Sequence, residues 1–224
     1  MDTKGLKINF LGDSITEGVG VKDQNNRYDN RLAEYLQLAA HNNYSISGSR
    51  LAHQRLPSEK PRYDLCFCGR AYDMDPTADM VIVYGGVNDY IHGDAPFCEM
   101  GDTTPATFCG GVYFLMNYLR ENYSTKPIIF MTPARCFLRK EISDLLPSTH
   151  AKKTTPGKEL LAYVEAIQET AKKFDVAVLD LYHDLGIDPH NMEDFNTYTT
   201  DGLHFNDAGH SVLAEKLKAF IEAL

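Results

Sequence analysis

A serine near the start of the chain lies where a hydroxyl could act as a nucleophile. Ser14 stands in the segment LGDSITEG, after an apolar strand-like run and before a helical pattern. A serine hydroxyl attacks poorly unless a base removes its proton, and at a helix N-terminus its backbone N–H can face a developing negative charge. The alternative is a serine that only caps the helix. A nucleotide loop is disfavoured, because no Gly-Lys-Ser/Thr follows and Gly18-x-Gly20 lacks the third glycine of a dinucleotide-binding loop.

A candidate base for this serine lies in the segment TDGLHFNDAGH near the C-terminus. His204 follows Asp201 by three residues, across a turn-like segment that contains Gly202. This spacing lets the carboxylate bind the imidazole nitrogen that faces away from the serine, which fixes the tautomer and stabilises the imidazolium. The alternative is an Asx turn beside a capping histidine. The other histidines are interpreted as lacking such a neighbour: His41, His53, His92, His150, His183, His190 and His210.

Two further positions could donate hydrogen bonds to an oxyanion. Asn88, in YGGVNDY, follows the third strand-like segment, and its side-chain amide can donate. Gly48, in SISGSR, follows the second such segment, and its backbone can approach a ligand closely because it has no Cβ. Each would be ordinary turn chemistry alone, but both fall at strand ends near Ser14. Loss of one such donor typically lowers turnover about 100- to 1000-fold.

The elements that must position these residues alternate along the chain. Apolar runs predict strands over 6–11, 44–46, 80–84, 127–131 and 176–181. Helical spacing predicts helices over 28–40, 108–123, 158–174 and 208–224, the last capped by Asn206 or Asp207. This alternation predicts a single domain over residues 1–224 with a mostly parallel sheet covered on both faces. The ligand crevice of such a sheet lies beyond the carboxyl ends of its strands, where the candidate residues gather.

Two long segments, 91–107 and 134–157, are predicted as loops that overhang this edge. Loops of this length are often lids or binding walls, and the alternative is a decorative insertion. Their mixture of aromatic and polar groups favours a small polar ester or an acetylated sugar over a long lipid chain. The side chains concerned are Tyr90, His92, Phe97, Phe108, Arg135, Phe137 and Arg139.

Taken together, four sequence blocks resemble the SGNH hydrolases, also called GDSL-type esterases or lipases. The blocks are Gly12-Asp13-Ser14, Gly48, Gly86-x-Asn88-Asp89 and Asp201-x-x-His204, in the order and approximate spacing of that family. The resemblance extends from residue 8 to the C-terminus. It implies an α/β fold, a three-layer α/β/α sandwich with a flavodoxin-like, parallel five-stranded sheet.

The resemblance also implies a site and an activity. Ser14 would be the nucleophile, His204 the base and Asp201 the third member of a catalytic triad. The backbone N–H groups of Ser14 and Gly48, with the Asn88 side chain, would form the oxyanion hole, supported by Asp13 and Gly86. The implied activity is hydrolysis of carboxylic esters, with a small-molecule ester as partner and without a metal or organic cofactor.

Other activities on the same residues stay open. The triad could serve a lysophospholipase, a thioesterase, a sugar deacetylase or an acyltransferase. A catalytically silent binding module would share the fold, but intact Ser14, Asp201 and His204 disfavour it. A metal-dependent phosphoesterase could use Asp13, Asn88, Asp89 and His204, although few carboxylates are present for a two-metal site.

Composition narrows the class of partner. A net charge of −9 disfavours nucleic acid, and no apolar run approaches the roughly 18 residues of a membrane helix. The N-terminus shows no secretory signal, so we expect a cytoplasmic protein that binds neither nucleic acid nor membranes. The five cysteines, Cys66, Cys68, Cys98, Cys109 and Cys136, are odd in number and irregularly spaced, which predicts reduced thiols.

Overall fold

A parallel sheet of five strands lies at the centre of the computed structural model, which describes residues 2–58, 60–137 and 159–224. The strands are β1 (Lys7–Gly12), β2 (Ala40–Asn43), β3 (Met80–Tyr84), β4 (Ile128–Met131) and β5 (Ala177–Leu179). Their order in the sheet is β2-β1-β3-β4-β5, and every neighbouring pair is parallel. This is the flavodoxin-like order predicted from the sequence, in which ligands bind beyond the carboxyl ends of the strands.

Helices cover both faces of the sheet. The α-helices are α1 (Ser14–Glu17), α2 (Tyr28–Leu36), α3 (Phe67–Arg70), α4 (Val87–His92), α5 (Phe108–Asn122), α6 (Leu160–Phe174), α7 (Leu181–Asp184), α8 (Met192–Tyr198) and α9 (Asp207–Ala223). Short 3₁₀ turns lie at Gln24–Asn26, Pro61–Asp64 and Ala71–Asp73. Alternate residues of β3 enter two separate cores, one shared with α5 and α6 and the other with α2 and α9. The three-layer α/β/α architecture is therefore confirmed.

The second strand lies earlier in the chain than predicted. The apolar residues 44–46 predicted it, whereas the sheet pairs Lys7–Phe10 with the more polar residues 40–43. Polar side chains are tolerated there because β2 is an edge strand and only half-buried, and Asn42 donates to Asn9 across the ladder at 3.0 Å. Residues Tyr44 and Ile46 still donate backbone hydrogen bonds to the end of β1, and the side chain of Tyr44 packs against the core on the α5 face of the sheet.

Two element boundaries and one pair of cysteines differ from the sequence predictions. Helix α2 ends at Leu36, because Gln37 adopts the left-handed conformation with φ 53°. The predicted loop 91–107 begins inside α4, and most of 134–157 lies outside the described residues. Cys98 and Cys109 form a disulfide, so the expectation of five reduced thiols is wrong for this pair.

Within the described ranges, no helix is long and apolar enough to cross a membrane.

Candidate active site

Three side chains predicted to act together form one hydrogen-bonded chain at the carboxyl edge of the sheet. Ser14 is the first residue of α1, directly beyond β1, and is 6% exposed. Its Oγ lies 2.9 Å from Nε2 of His204, and Nδ1 of the same ring lies 2.7 Å from Oδ2 of Asp201. A hydroxyl, an imidazole and a carboxylate in this order are the groups of an activated serine nucleophile.

The segment between Asp201 and His204 is built so that one carboxylate serves two purposes. Oδ1 of Asp201 accepts the backbone N–H groups of Leu203, at 2.9 Å, and His204, at 2.7 Å. Oδ2 is thereby directed at the imidazole. The Asx turn and the contact between carboxylate and imidazole, alternatives at the level of the sequence, are both present.

The charge state of Asp201 suits this arrangement. Burial disfavours the ionised carboxylate, but the hydrogen bond from His204, with the two backbone N–H groups, lowers the pKa of Asp201 below its usual value. An ionised carboxylate only accepts hydrogen bonds, so Nδ1 of His204 carries the proton. Nε2 is then the acceptor that faces Ser14, as a general base requires.

Gly20 packs closely against the segment that carries His204. Its φ is +101°, and a Cβ built there would lie 2.4 Å from the carbonyl oxygen of Phe205 and 3.3 Å from Cβ of His204. Only glycine fits so close a contact at this backbone conformation. In the sequence, Gly20 served only as evidence against a nucleotide loop, and its position beside His204 was not predicted.

The predicted oxyanion donors border the same cleft. Gly48 has φ +73°, which favours glycine, and it lines the cleft with Ser14 and Asn88. Among the hydrogen bonds of the described residues, none uses the backbone N–H of Ser14 or of Gly48. The amide nitrogen of Asn88 donates to the carbonyl of Ser49 at 3.1 Å and to Oδ2 of Asp13 at 3.2 Å.

The cleft itself is small and mostly apolar. Its volume is about 200 Å³, and its lining residues are Ser14, Val19, Ser47, Gly48, Tyr63, Asn88, Ile91, His92, Leu203 and His204. A larger cavity of about 620 Å³ lies beside α3, but no triad residue lines it. The smaller cavity is the candidate active site, because Ser14 and His204 both line it.

The two residues predicted to support the oxyanion hole each lie within two residues of a predicted donor in the sequence. Asp13 is buried and caps α1 by accepting the backbone N–H of Ile15 at 3.1 Å. Gly86 precedes α4 with φ +107°, directly before the helix that carries Asn88.

The predicted wall of aromatic and polar side chains is only partly present. Of the seven residues named above, His92 lines the cleft. Phe97 and Phe108 instead stack on each other at 5.9 Å and pack in the core, and Arg135 pairs with Asp188 at 3.1 Å. Arg139 lies outside the described residues. Tyr63 was not predicted, because it comes from a short 3₁₀ turn without a sequence signal.

Another histidine resembles His204 in its spacing, contrary to the sequence interpretation. His183 follows Asp180 by three residues and contacts it through Nδ1 at 2.7 Å. His183 does not line the cleft that contains Ser14. The hydrogen bond to Ser14 therefore distinguishes His204, and the Asp-x-x-His spacing alone does not.

One of the four residues considered for a metal-dependent phosphoesterase is engaged elsewhere. The carboxylate of Asp89 accepts the backbone N–H groups of Leu51 and Ala52, both at 3.0 Å, and Asp89 does not line the cleft that contains His204. Across the described ranges, no group of three or more His, Cys, Asp or Glu side chains is placed to hold a metal ion.

The burial of Asp13 predicts a pH-dependent contribution to stability. Desolvation raises the pKa of Asp13 to about 6, although the backbone N–H of Ile15 and the charge of His204 oppose the shift. Because the folded-state pKa exceeds that of the unfolded chain, the stabilising contribution is present at low pH and is lost as pH rises through about 6.

We therefore expect the stability difference between wild type and Asp13→Asn to change with pH. Between about pH 4 and about pH 7, the unfolding free energy of wild type relative to the variant should fall by ~2 kcal/mol. Urea unfolding of both proteins at each pH measures this difference. A difference that stays constant across this range would contradict the prediction.

Comparisons with known proteins give one matching family and several solved structures of similar fold. The sequence matches the model of the GDSL-like lipase/acylhydrolase family over residues 10–212. A protein of known structure from Lactobacillus plantarum is 30% identical with a TM-score of 0.81, over 98% of each chain. An acetyl xylan esterase is 21% identical with a TM-score of 0.63, over 96% of this chain and 98% of its own. A carbohydrate acetylesterase family member from Sinorhizobium meliloti is 14% identical with a TM-score of 0.64, over 97% and 98%. No curated protein matches the chain.

Proposed function

The chain belongs to the GDSL-like lipase/acylhydrolase family, and from this premise we propose that it is a serine esterase that hydrolyses short-acyl carboxylic esters through an acyl-enzyme on Ser14. The observation that carries the proposal is the hydrogen-bonded chain from Ser14 through His204 to Asp201, with distances of 2.9 and 2.7 Å, at the wall of a cleft. A serine that only capped α1 would not need an imidazole at hydrogen-bonding distance. The cap of α1 is in any case supplied by Asp13.

The reaction follows from the polarity of these hydrogen bonds. Nε2 of His204 takes the proton of Ser14 as Oγ attacks the acyl carbonyl, and the ionised Asp201 stabilises the imidazolium. The same histidine then protonates the leaving alcohol, and an acyl-enzyme remains. Water activated by His204 attacks this ester, releases the acid and restores the hydroxyl.

Three groups are proposed to donate hydrogen bonds to the developing oxyanion. The backbone N–H groups of Ser14 and Gly48 are not engaged by other described residues, so they can bind it without breaking an existing bond. The amide of Asn88 can contribute by releasing its 3.2 Å contact with Asp13, the longer of its two. The two backbone donors need no such rearrangement, and donors held in place before the reaction cost little reorganisation when charge develops.

The size of the cleft supports a short acyl group. A volume of about 200 Å³ with apolar walls from Val19, Ile91 and Leu203 leaves little room for a long chain within the described residues. The similarity in fold to an acetyl xylan esterase and to a carbohydrate acetylesterase family member also favours acetyl esters of carbohydrates as the substrate class.

The activity of Ser14 can be tested with a fluorophosphonate, which labels activated serines covalently. We expect one adduct on wild type, mapped to Ser14 by mass spectrometry, and none on Ser14→Ala. Wild type should also hydrolyse p-nitrophenyl acetate, and Ser14→Ala should not exceed the background rate.

Ser211 provides a matched control, because it lies on α9 away from the cleft and is bonded only weakly to Glu215 at 3.5 Å. Ser211→Ala should be labelled like wild type. A folded wild type that remains unlabelled would overturn the serine mechanism. Faster hydrolysis of the octanoate than of the acetate would overturn the short-acyl preference alone.

A further inference from the structure

We propose that His92 is a positioning residue for this reaction, held by Arg50 so that it orients the side-chain amide of Asn88 at the cleft. The inference rests on the proposed function, because it concerns the third donor to the oxyanion. It adds His92 and Arg50, which belong to none of the four sequence blocks.

His92 and Asn88 are joined within one helix. They lie four residues apart in α4, so their side chains share one face, and Nε2 of His92 is 2.9 Å from Oδ1 of Asn88. On the other side of the ring, Nδ1 is 2.8 Å from a guanidinium nitrogen of Arg50. The three side chains are buried, with exposed fractions of 7% for His92, 4% for Asn88 and 1% for Arg50.

The donor capacity of arginine determines the direction of this chain. A guanidinium only donates hydrogen bonds, so Nδ1 of His92 must be an unprotonated acceptor. The ring is then neutral and carries its proton on Nε2, which donates to Oδ1 of Asn88. The oxygen of the Asn88 amide is thereby directed at His92, and its NH₂ group is directed away.

The opposite side of the Asn88 amide gives the same orientation independently. Its nitrogen faces the backbone carbonyl of Ser49, which can only accept, and the carboxylate of Asp13. If the amide were reversed, its oxygen would face two acceptors and its NH₂ group would face the N–H of His92. The hydrogen bonds on the two sides of the Asn88 amide therefore agree on one orientation.

This orientation matters for the reaction. With the amide as observed, Asn88 presents donors on the side of Asp13 and Ser14, where negative charge would develop. A reversed amide would present an oxygen there and repel an oxyanion. The energetic role of His92 is thus to exclude the unproductive rotamer.

Arg50 also links this chain to the loop that contains Gly48. Its second guanidinium nitrogen donates to the carbonyl of Tyr63 at 3.1 Å and lies 3.4 Å from Asp64. The next two residues of the loop donate their backbone N–H groups to Asp89 of α4. The loop and helix α4 are therefore joined through two residues of the helix, His92 and Asp89.

Two replacements of His92 separate positioning from packing. Phenylalanine keeps a ring and removes both nitrogens, whereas glutamine can place an amide N–H near the position of Nε2. We expect His92→Phe to lower kcat about 10- to 100-fold with KM changed less than about threefold, a smaller loss than removal of a whole donor. His92→Gln should retain kcat within about fivefold of wild type, because it still donates to Asn88.

A double-mutant cycle with Asn88→Ala shows whether His92 acts through Asn88. In the Asn88→Ala background, His92→Phe should change kcat by less than about twofold. His41→Phe is a matched control, since Nε2 of His41 lies 2.7 Å from the Asn30 side-chain oxygen away from the cleft, and it should leave kcat unchanged. Equal losses from His92→Phe in both backgrounds would overturn the positioning role.

The tautomer of His92 can be measured without an activity assay. In ¹⁵N-edited spectra of the histidine rings, with the His92→Gln spectrum used for assignment, His92 should show a neutral ring protonated on Nε2 at neutral pH. Protonation on Nδ1 would overturn the inference even if the esterase is active. An unlabelled Ser14 in wild type with the expected His92 tautomer would instead overturn the proposed function and leave the orientation of Asn88 supported.

Discussion

Replacement of His204 by alanine is expected to lower kcat for ester hydrolysis by roughly 10⁵-fold, because the nucleophile loses its base. In the folded protein, Nε2 of this ring is 2.9 Å from Oγ of Ser14. A neutral hydroxyl without a proton acceptor is a poor nucleophile at neutral pH. Binding of the ester should persist, since the cleft and the oxyanion donors stay in place, so KM should change far less than kcat.

The measurement is kcat and KM for p-nitrophenyl acetate, with the rate of fluorophosphonate labelling at Ser14 as a second readout. Both rates should fall together, because both need the Ser14 proton to be removed. Thermal unfolding of the variant shows whether the fold is retained.

His183 offers a closely matched control for this experiment. It contacts Asp180 at 2.7 Å with the same three-residue spacing, but it is about half-exposed and does not line the cleft. His183→Ala should keep wild-type turnover. If both alanine variants lost activity equally, the base would not be His204. If His204→Ala kept turnover within tenfold of wild type, the mechanism would be wrong.

The parts of this site that the sequence predicted are those that depend on local patterns. The run MVIVY predicts β3 to the residue, because a fully buried strand is apolar throughout and two glycines end it. Asn206, one of the two predicted caps of α9, is the observed one, and its cap is a short-range bond to the backbone N–H groups of Ala208 and Gly209. The Asp201-to-His204 contact belongs to the same class, because one turn brings the two side chains together.

The parts that the sequence did not predict depend on contacts between distant segments. Gly20 packs against the backbone of Phe205 and the Cβ of His204, and nothing near Gly20 in the sequence indicates that contact. The hydrogen bond from Arg50 to His92 joins a loop to a helix that is distant from it in the sequence. Neither the arginine nor the histidine indicates this contact by its residue type. The edge strand β2 was misplaced for a related reason, since its polar residues are tolerated only at the edge of the sheet.

Replacement of Asp201 by asparagine should lower kcat on the order of 10³- to 10⁴-fold by imposing the wrong tautomer on His204. Oδ1 of Asp201 accepts the backbone N–H groups of Leu203 and His204. The carbonyl oxygen of an asparagine would keep these bonds, which turns its NH₂ group toward Nδ1 of the imidazole. Nδ1 must then accept, so the proton moves to Nε2, and the ring donates to Ser14 when it should accept.

Asp180→Asn is the control for this variant, because it alters the equivalent contact with His183 at 2.7 Å outside the cleft. Kinetics with p-nitrophenyl acetate should show normal turnover for Asp180→Asn and the large loss for Asp201→Asn. ¹⁵N-edited spectra should show His204 protonated on Nδ1 in wild type and on Nε2 in Asp201→Asn. Wild-type turnover in Asp201→Asn, with the tautomer changed as expected, would mean that the imidazole does not take the Ser14 proton, and the triad would have to be abandoned as the catalytic unit.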